Sequence, residues 1–184
     1  MKIDPTVYHS RPAERRSDQE EAIYDRLETL GIPFERVDHE HADTMEDCML
    51  IEGTLGAPVC KNLFLCNRQQ TDFYLLMLPG GKVFKTKYLS SQLGCARLSF
   101  AGADRMDRLL RTVPGSVSAL ELLFDTDKQV RLLVDADLMN DEFIGGHPGF
   151  STSTLKLRRE DLLRYIRSTG HEPTVITLRA DDGE

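Results

Sequence analysis

The chain has no tryptophan, and aromatic residues make up only 7% of its 184 positions, so its core must be built mainly from aliphatic side chains. Cysteine is scarce. Cys48, Cys60, Cys66 and Cys95 form no C-x-x-C pair and are too few for a disulfide scaffold at this length. They read as small, mostly buried apolar residues in a reducing compartment. A zinc site combining them with His39 or His41 lacks the usual ligand spacing. Long hydrophobic runs are missing too. The longest strongly apolar stretch, Phe73 to Leu78, falls far short of the ~20 residues a membrane span needs. The polar N-terminus carries Arg11, Arg15 and Arg16 with no apolar block behind them, which excludes a secretory signal and sets a cytoplasmic expectation. The sequence contains no G-x-x-x-x-G-K-[ST], G-x-G-x-x-G, H-E-x-x-H or G-x-S-x-G. The common NTPase, dinucleotide, zincin and serine-hydrolase readings fall away, and no metal or cofactor is called for.

What is present is ordinary in amount and uneven in placement. At 20.8 kDa, with 40% hydrophobic and 29% charged residues, the chain suits one well-buried domain. Its net charge is −7. Between Gly53 and Ala103, however, Lys61, Arg68, Lys82, Lys85, Lys87 and Arg97 stand against Asp72 alone. That window is +5, which leaves −12 for the remainder. An acidic body with one basic segment fits a protein that grips an anionic ligand locally, or else simply a solvated face.

Residues 1–16 read as an extended arm, and residues 17–180 as the domain. Ser17 with Glu20 forms a capping-box pattern ahead of Ile23, Leu27 and Leu30, and Gly31 and Pro33 close that helix. Phe34–Asp38 reads as a strand, and Thr44 with Asp47 opens a second helix. Strands are expected over Asn62–Cys66, Asp72–Leu78 and Lys82–Thr86, the last two joined in a hairpin through Pro79-Gly80-Gly81. Short helices follow at Tyr88–Leu93 and Ala103–Arg111. Gln129–Val134 is an apolar strand placed centrally in the sheet, and Thr154–Leu157 is another strand. Arg159–Thr169 is an amphipathic helix, and Thr174–Leu178 a final strand. Helices and strands alternate without regular βαβ units. The fold class is therefore α/β in the α+β sense, with one mixed central sheet flanked by helices.

Three segments resist a core-packing explanation. In Cys60-Lys61-Asn62-Leu63-Phe64-Leu65, a lysine sits at the mouth of an apolar strand, either as a plain strand-end residue or facing a phosphate or carbonyl. In Pro114-Gly115-Ser116-Val117-Ser118, a glycine loop can turn N–H groups toward one point and hold an oxyanion, or it is an ordinary turn. Ser116 and Ser118 have no identifiable histidine–carboxylate partner as nucleophiles. In Gly145-Gly146-His147-Pro148-Gly149, two glycines would let a ligand approach the backbone, and His147 could hydrogen-bond or transfer a proton near neutral pH. A structural loop histidine is the alternative. His9, His39, His41 and His171 have weaker contexts.

Taken in order, Lys61-Asn62-Leu63-Phe64-Leu65, Lys85-Thr86-Lys87, Arg97-Leu98-Ser99-Phe100-Ala101, Pro114-Gly115-Ser116-Val117 and His147-Pro148 before Thr152 resemble the YbaK/prolyl-tRNA-synthetase-associated domain family. Within it, the chain is similar to the free-standing alanyl-tRNA(Pro) deacylases of PrdX or ProX type. The resemblance spans roughly Ser17 to Leu178 and implies a trans-editing enzyme that hydrolyses the ester between a wrong amino acid and the proline tRNA. It assigns catalytic roles to Lys61, Gly115 and His147, and substrate contacts to Asn62, Ser116, Val117, Pro148 and Thr152. Lys82, Lys85, Lys87 and Arg97 would meet the tRNA, and prolyl-tRNA synthetase is the implied partner.

Two departures from the family pattern touch the pocket: Ala119-Leu120-Glu121 replaces a proline-containing run, and Ser151 replaces an asparagine. Ile32, Phe34, Val37 and Met45 either line the acyl pocket or are plain core. The competing readings are a same-fold deacylase for cysteine or serine, and a non-catalytic module that binds tRNA or a synthetase.

Overall fold

Helix α1 (Asp18–Thr29) starts where Ser17 Oγ accepts the Glu20 N–H at 3.1 Å and buries Ile23, Tyr24 and Leu27. Only the serine half of the expected box forms, because the Glu20 side chain turns inward and is buried. The computed structural model describes residues 1–42 and 44–178, the side chain of Met45 excepted. Arg179 and Ala180, the end of the expected domain range, lie outside the described residues, as does the Met45 side chain as a pocket candidate. Residues 1–16 do not project. Asp4 and Tyr8 donate their N–H groups to Asp38 and Arg36 of β1 (Glu35–Asp38), and Arg11 ties down to Glu21, Asp25 and Glu28 on α1.

Helix α2 (Met45–Leu55) carries the full Thr44–Asp47 capping box and leads into β2 (Cys60–Asn67) and β3 (Phe73–Pro79), which pair antiparallel. Then come α3 (Thr86–Leu93), β4 (Leu98–Phe100), α4 (Ala103–Leu110), a 3-10 turn over Ala119–Phe124 and β5 (Val130–Asp135). A second 3-10 turn at Ala136–Asn140 precedes β6 (Phe143–Gly146), β7 (Ser153–Arg158), α5 (Arg159–Ser168) and β8 (Thr174–Ile176).

The central sheet is mixed, in the order β4-β2-β3-β5-β8, with β5 parallel to both neighbours and interior to the sheet. A second, antiparallel sheet, β1-β7-β6, joins it through a bridge between Val59 and Gly145. Strand alternation sorts the core onto two faces. Phe64, Cys66, Phe73, Leu75 and Met77 pack with α1, α4 and α5, whereas Leu65, Tyr74, Leu76 and Leu78 pack against Leu89 of α3. Ile32 and Val37 are plain core, and Phe34 packs against Tyr24.

The fold class is as expected, with the second sheet an addition. The hairpin through Pro79-Gly80-Gly81 does not form. Lys82–Lys85 runs as a loop and Thr86 already opens α3, with the Lys82 ammonium drawn to Asp135 at the end of β5 and to Asp137 just beyond it, at 2.6 and 2.7 Å. The hairpin is instead β2–β3, whose turn is held by Asn67: its Oδ1 accepts from the N–H groups of Thr71 and Asp72.

Candidate active site

Strand β4 pairs with β2 only from Leu65 to Asn67. At the other end of β2, the Gly145 N–H donates to Pro58 O at 2.8 Å. Between those two contacts, the edge of β2 over Cys60–Phe64 has no strand beside it among the described residues. Antiparallel pairing alternates which residues bond to a given neighbour. Because Asn67 N–H bonds to Asp72 O, the backbone groups of Cys60, Asn62 and Phe64 face away from β3 and toward this open side, where Ala101 N–H takes Phe64 O at 2.9 Å. A cavity of about 370 Å³ occupies the gap. It is lined by Lys61 and Asn62 from β2, Gly115 and Val117 from the loop after α4, and His147 after β6, with Phe100 and Ala101 at its rim.

The Gly115 loop follows from its sequence. Pro114 and Gly115 occupy the centre of a turn closed by Ser116 N–H to Val113 O at 3.1 Å, and Gly115 has φ +88°. Proline followed by a residue at positive φ is the pattern of a type II turn, which glycine fills without strain. The Ser116 N–H is spent in closing that turn. The N–H groups of Gly115 and Val117 meet no acceptor among the described residues.

Lys61 Nζ donates to the Lys82 carbonyl at 3.3 Å, which holds the ammonium at the cavity wall. Asn62 Nδ2 donates to Cys60 O at 3.4 Å, and its Oδ1 is buried without a donor among the described residues. A buried acceptor left open in this way favours a ligand that brings an N–H or O–H.

His147 sits in an ordered chain. Its Nδ1 lies 3.1 Å from Ser153 O and 3.2 Å from Thr154 Oγ1; Thr154 Oγ1 lies 2.9 Å from His39 Nε2; His39 Nδ1 lies 2.8 Å from Glu40 O. Carbonyls at both ends can only accept, which assigns Nδ1–H to both rings, with Thr154 donating to His39. His147 Nε2 is left as an acceptor. Burial pushes the His147 pKa down to about 4, and burial lowers that of His39 as well. His147 is therefore neutral at physiological pH, and the expected proton transfer near neutrality does not suit it. Of the two glycines before it, Gly145 serves packing rather than ligand approach, whereas a Cβ on Gly146 would meet nothing within 4 Å. A Cβ on Gly145 would come within 3.1 Å of Val59 Cγ2 and 3.2 Å of Pro58 O.

Other expected site residues fall elsewhere. Ser116 is buried, its Oγ accepting from Ser151 N–H at 3.2 Å. Pro148 is buried, and Thr152 is exposed, its carbonyl taken by His39 N–H. None of the three lines the cavity. Lys85, Lys87 and Arg97 are exposed, whereas Lys82 is neutralised by its two aspartates.

Sequence reading missed how Ser118 and Glu121 join the walls. Ser118 Oγ donates to His147 O at 2.7 Å, and Glu121 Oε1 accepts the Gly149 N–H at 2.9 Å. The available signal was Ser118-x-x-Glu121 itself, a capping box that forms in full.

The mixed sheet thus carries one cavity at a broken strand edge, lined by a lysine, an asparagine with an open buried acceptor, a glycine turn and a neutral histidine. The family model of the aminoacyl-tRNA editing domain matches residues 39–165. The chain is 27% identical over 161 residues to the prolyl-tRNA editing protein ProX of Acetoanaerobium sticklandii, covering 88% of this chain and 98% of that one. It is 29% identical over 161 residues to prolyl-tRNA synthetase associated domain-containing protein 1 of Bos taurus, covering 85% and 94%. The fold is similar to a solved structure described as a candidate trans-editing enzyme for prolyl-tRNA synthetase, with TM-score 0.67, 17% identity and coverage of 90% and 99%.

The chain belongs to the aminoacyl-tRNA editing domain family, and it is a hydrolase of the aminoacyl-tRNA ester bond. No helix among the described residues is long and apolar enough to cross a membrane.

Proposed function

We propose that this protein is a free-standing editing enzyme that hydrolyses alanyl-tRNA(Pro), working in the cytoplasm beside the prolyl-tRNA synthetase that makes the error. The observation that carries this reading is the meeting of Lys61, Asn62, Gly115, Val117 and His147 around one cavity. Its volume lies at the small end of the roughly 300–1,000 Å³ typical of ligand sites, enough for a small acyl group with part of its ribose.

An aminoacyl ester is already activated, so the chemical demand is modest. The amides of Gly115 and Val117 receive the ester carbonyl and stabilise the oxyanion as water adds. One such donor is typically worth about 10²–10³ in rate. Lys61 meets the phosphate or ester of the tRNA terminus. Asn62 Oδ1 accepts from the α-ammonium, satisfying an otherwise open buried acceptor. His147 Nε2, fixed as an acceptor, orients a water or a ribose hydroxyl. The 2′-hydroxyl beside the ester serves as the proton shuttle, which makes catalysis substrate-assisted and removes any need for a side-chain nucleophile.

Selection among acyl groups is steric, and a methylene is worth only ~1–3 kcal/mol of discrimination. Contacts from Lys85, Lys87 and Arg97 to tRNA phosphates add affinity that every ester of the tRNA shares. The test is deacylation of a panel of alanyl-, seryl-, cysteinyl- and prolyl-tRNA(Pro). The alanyl ester should turn over fastest and the prolyl ester should persist. Preferred turnover of the seryl or cysteinyl ester would reassign the substrate.

A further inference from the structure

We propose that Phe100 is a stacking platform for the terminal adenine base of the tRNA, an inference that rests on the functional reading above. Phe100 is 63% exposed, yet it stands at the rim of the cavity on the edge strand β4. It pairs in register with Leu65, so its side chain lies on the same sheet face as those of Leu65, Leu63 and Lys61. Asn62 and Phe64 point to the opposite face.

The open edge of β2 thus divides the cavity. One side offers Asn62, the Gly115 amides and His147, suited to the acyl group. The other offers an ammonium and an unpartnered aromatic face, suited to a phosphate and a base. An ester held at the edge leaves its ribose there and sends the attached base and 5′-phosphate toward Lys61 and Phe100.

Charge agrees with this occupant. From Phe73 to Ala103 the chain carries no acid, and setting aside Lys82, which is paired with Asp135 and Asp137, its basic residues Lys85, Lys87 and Arg97 are exposed. Bases stack on aromatic side chains without regard to sequence, which suits a terminus common to all tRNAs.

The absence of tryptophan makes the test direct. Phe100→Trp places a single indole at the rim. Adenosine 5′-monophosphate should quench it saturably, while inorganic phosphate should not. Val175→Trp is the control: it is 51% exposed on β8, at the other edge of the sheet, and should show only linear, collisional quenching. In turnover, Phe100→Ala should raise KM for aminoacyl-tRNA ~10-fold with kcat little changed, and Phe100→Tyr should restore it. Linear quenching at Phe100→Trp, or an unchanged KM in Phe100→Ala, would overturn the platform. Should the wild-type chain hydrolyse no aminoacyl-tRNA, the functional reading falls, and the quenching experiment still decides the base site by itself.

Discussion

Ser118 Oγ donates to the main-chain carbonyl of His147 at 2.7 Å and so ties two walls of the cavity together. The same two segments are laced again by Gly149 N–H to Glu121 and by Ser151 N–H to Ser116. The positions where the sequence departs from its family pattern, Ala119 to Glu121 and Ser151, lie in this lacing.

Ser118→Ala removes both the cap of the Ala119–Phe124 turn and the tie to His147. The expected cost is about 1–2 kcal/mol of stability, a Tm lower by a few degrees. Deacylation kcat should fall while affinity for tRNA holds, since no phosphate contact is touched. Thermal melts and single-turnover assays read the two effects separately.

The depressed pKa of His147 sets a sign for pH. Its folded value is about 4, against ~6.5 in an unfolded chain, so between these the unfolded state binds the extra proton. The neutral ring's contribution to stability is present above pH ~6.5 and is lost as pH falls toward 4. The Tm of the wild type should therefore drop more steeply from pH 7 to 4.5 than that of His147→Gln. An equal slope in both would remove His147 as a source of the dependence. The rate should show no limb near pH 6.5 from this ring.

Salt dependence separates the lysines. Each phosphate contact contributes a released counterion, so the affinity for tRNA should weaken with salt. Lys87→Ala should flatten that slope. Lys82→Ala should leave it unchanged and lower Tm instead, because its ammonium is committed to Asp135 and Asp137. A flattened slope in Lys82→Ala would show that those ion pairs open for the tRNA.

The Lys82 pairs also show where sequence reading stops. Helix boundaries were legible because caps are local: Thr44 with Asp47, and Gly94 in the left-handed conformation after α3, act over a few residues. The meeting of Lys61, Gly115 and His147 was legible through family resemblance, not through spacing. Lys82–Thr86 read as a strand because nothing nearby reveals a partner more than fifty positions on. Strand β6 was overlooked because Phe143-Ile144-Gly145-Gly146 ends in residues that weaken a strand, yet Gly145 is what lets it press against Pro58 and Val59. The gap in β2 depends on where β4 stops, which is a property of tertiary pairing alone.

The most direct test is the rate of alanyl-tRNA(Pro) hydrolysis by purified Lys61→Ala beside the wild type, with circular dichroism confirming an unchanged fold. The account predicts turnover reduced by about 10²-fold or more, in keeping with loss of the ammonium that positions the tRNA terminus and so holds the ester in place. Wild-type turnover in the folded variant would contradict it.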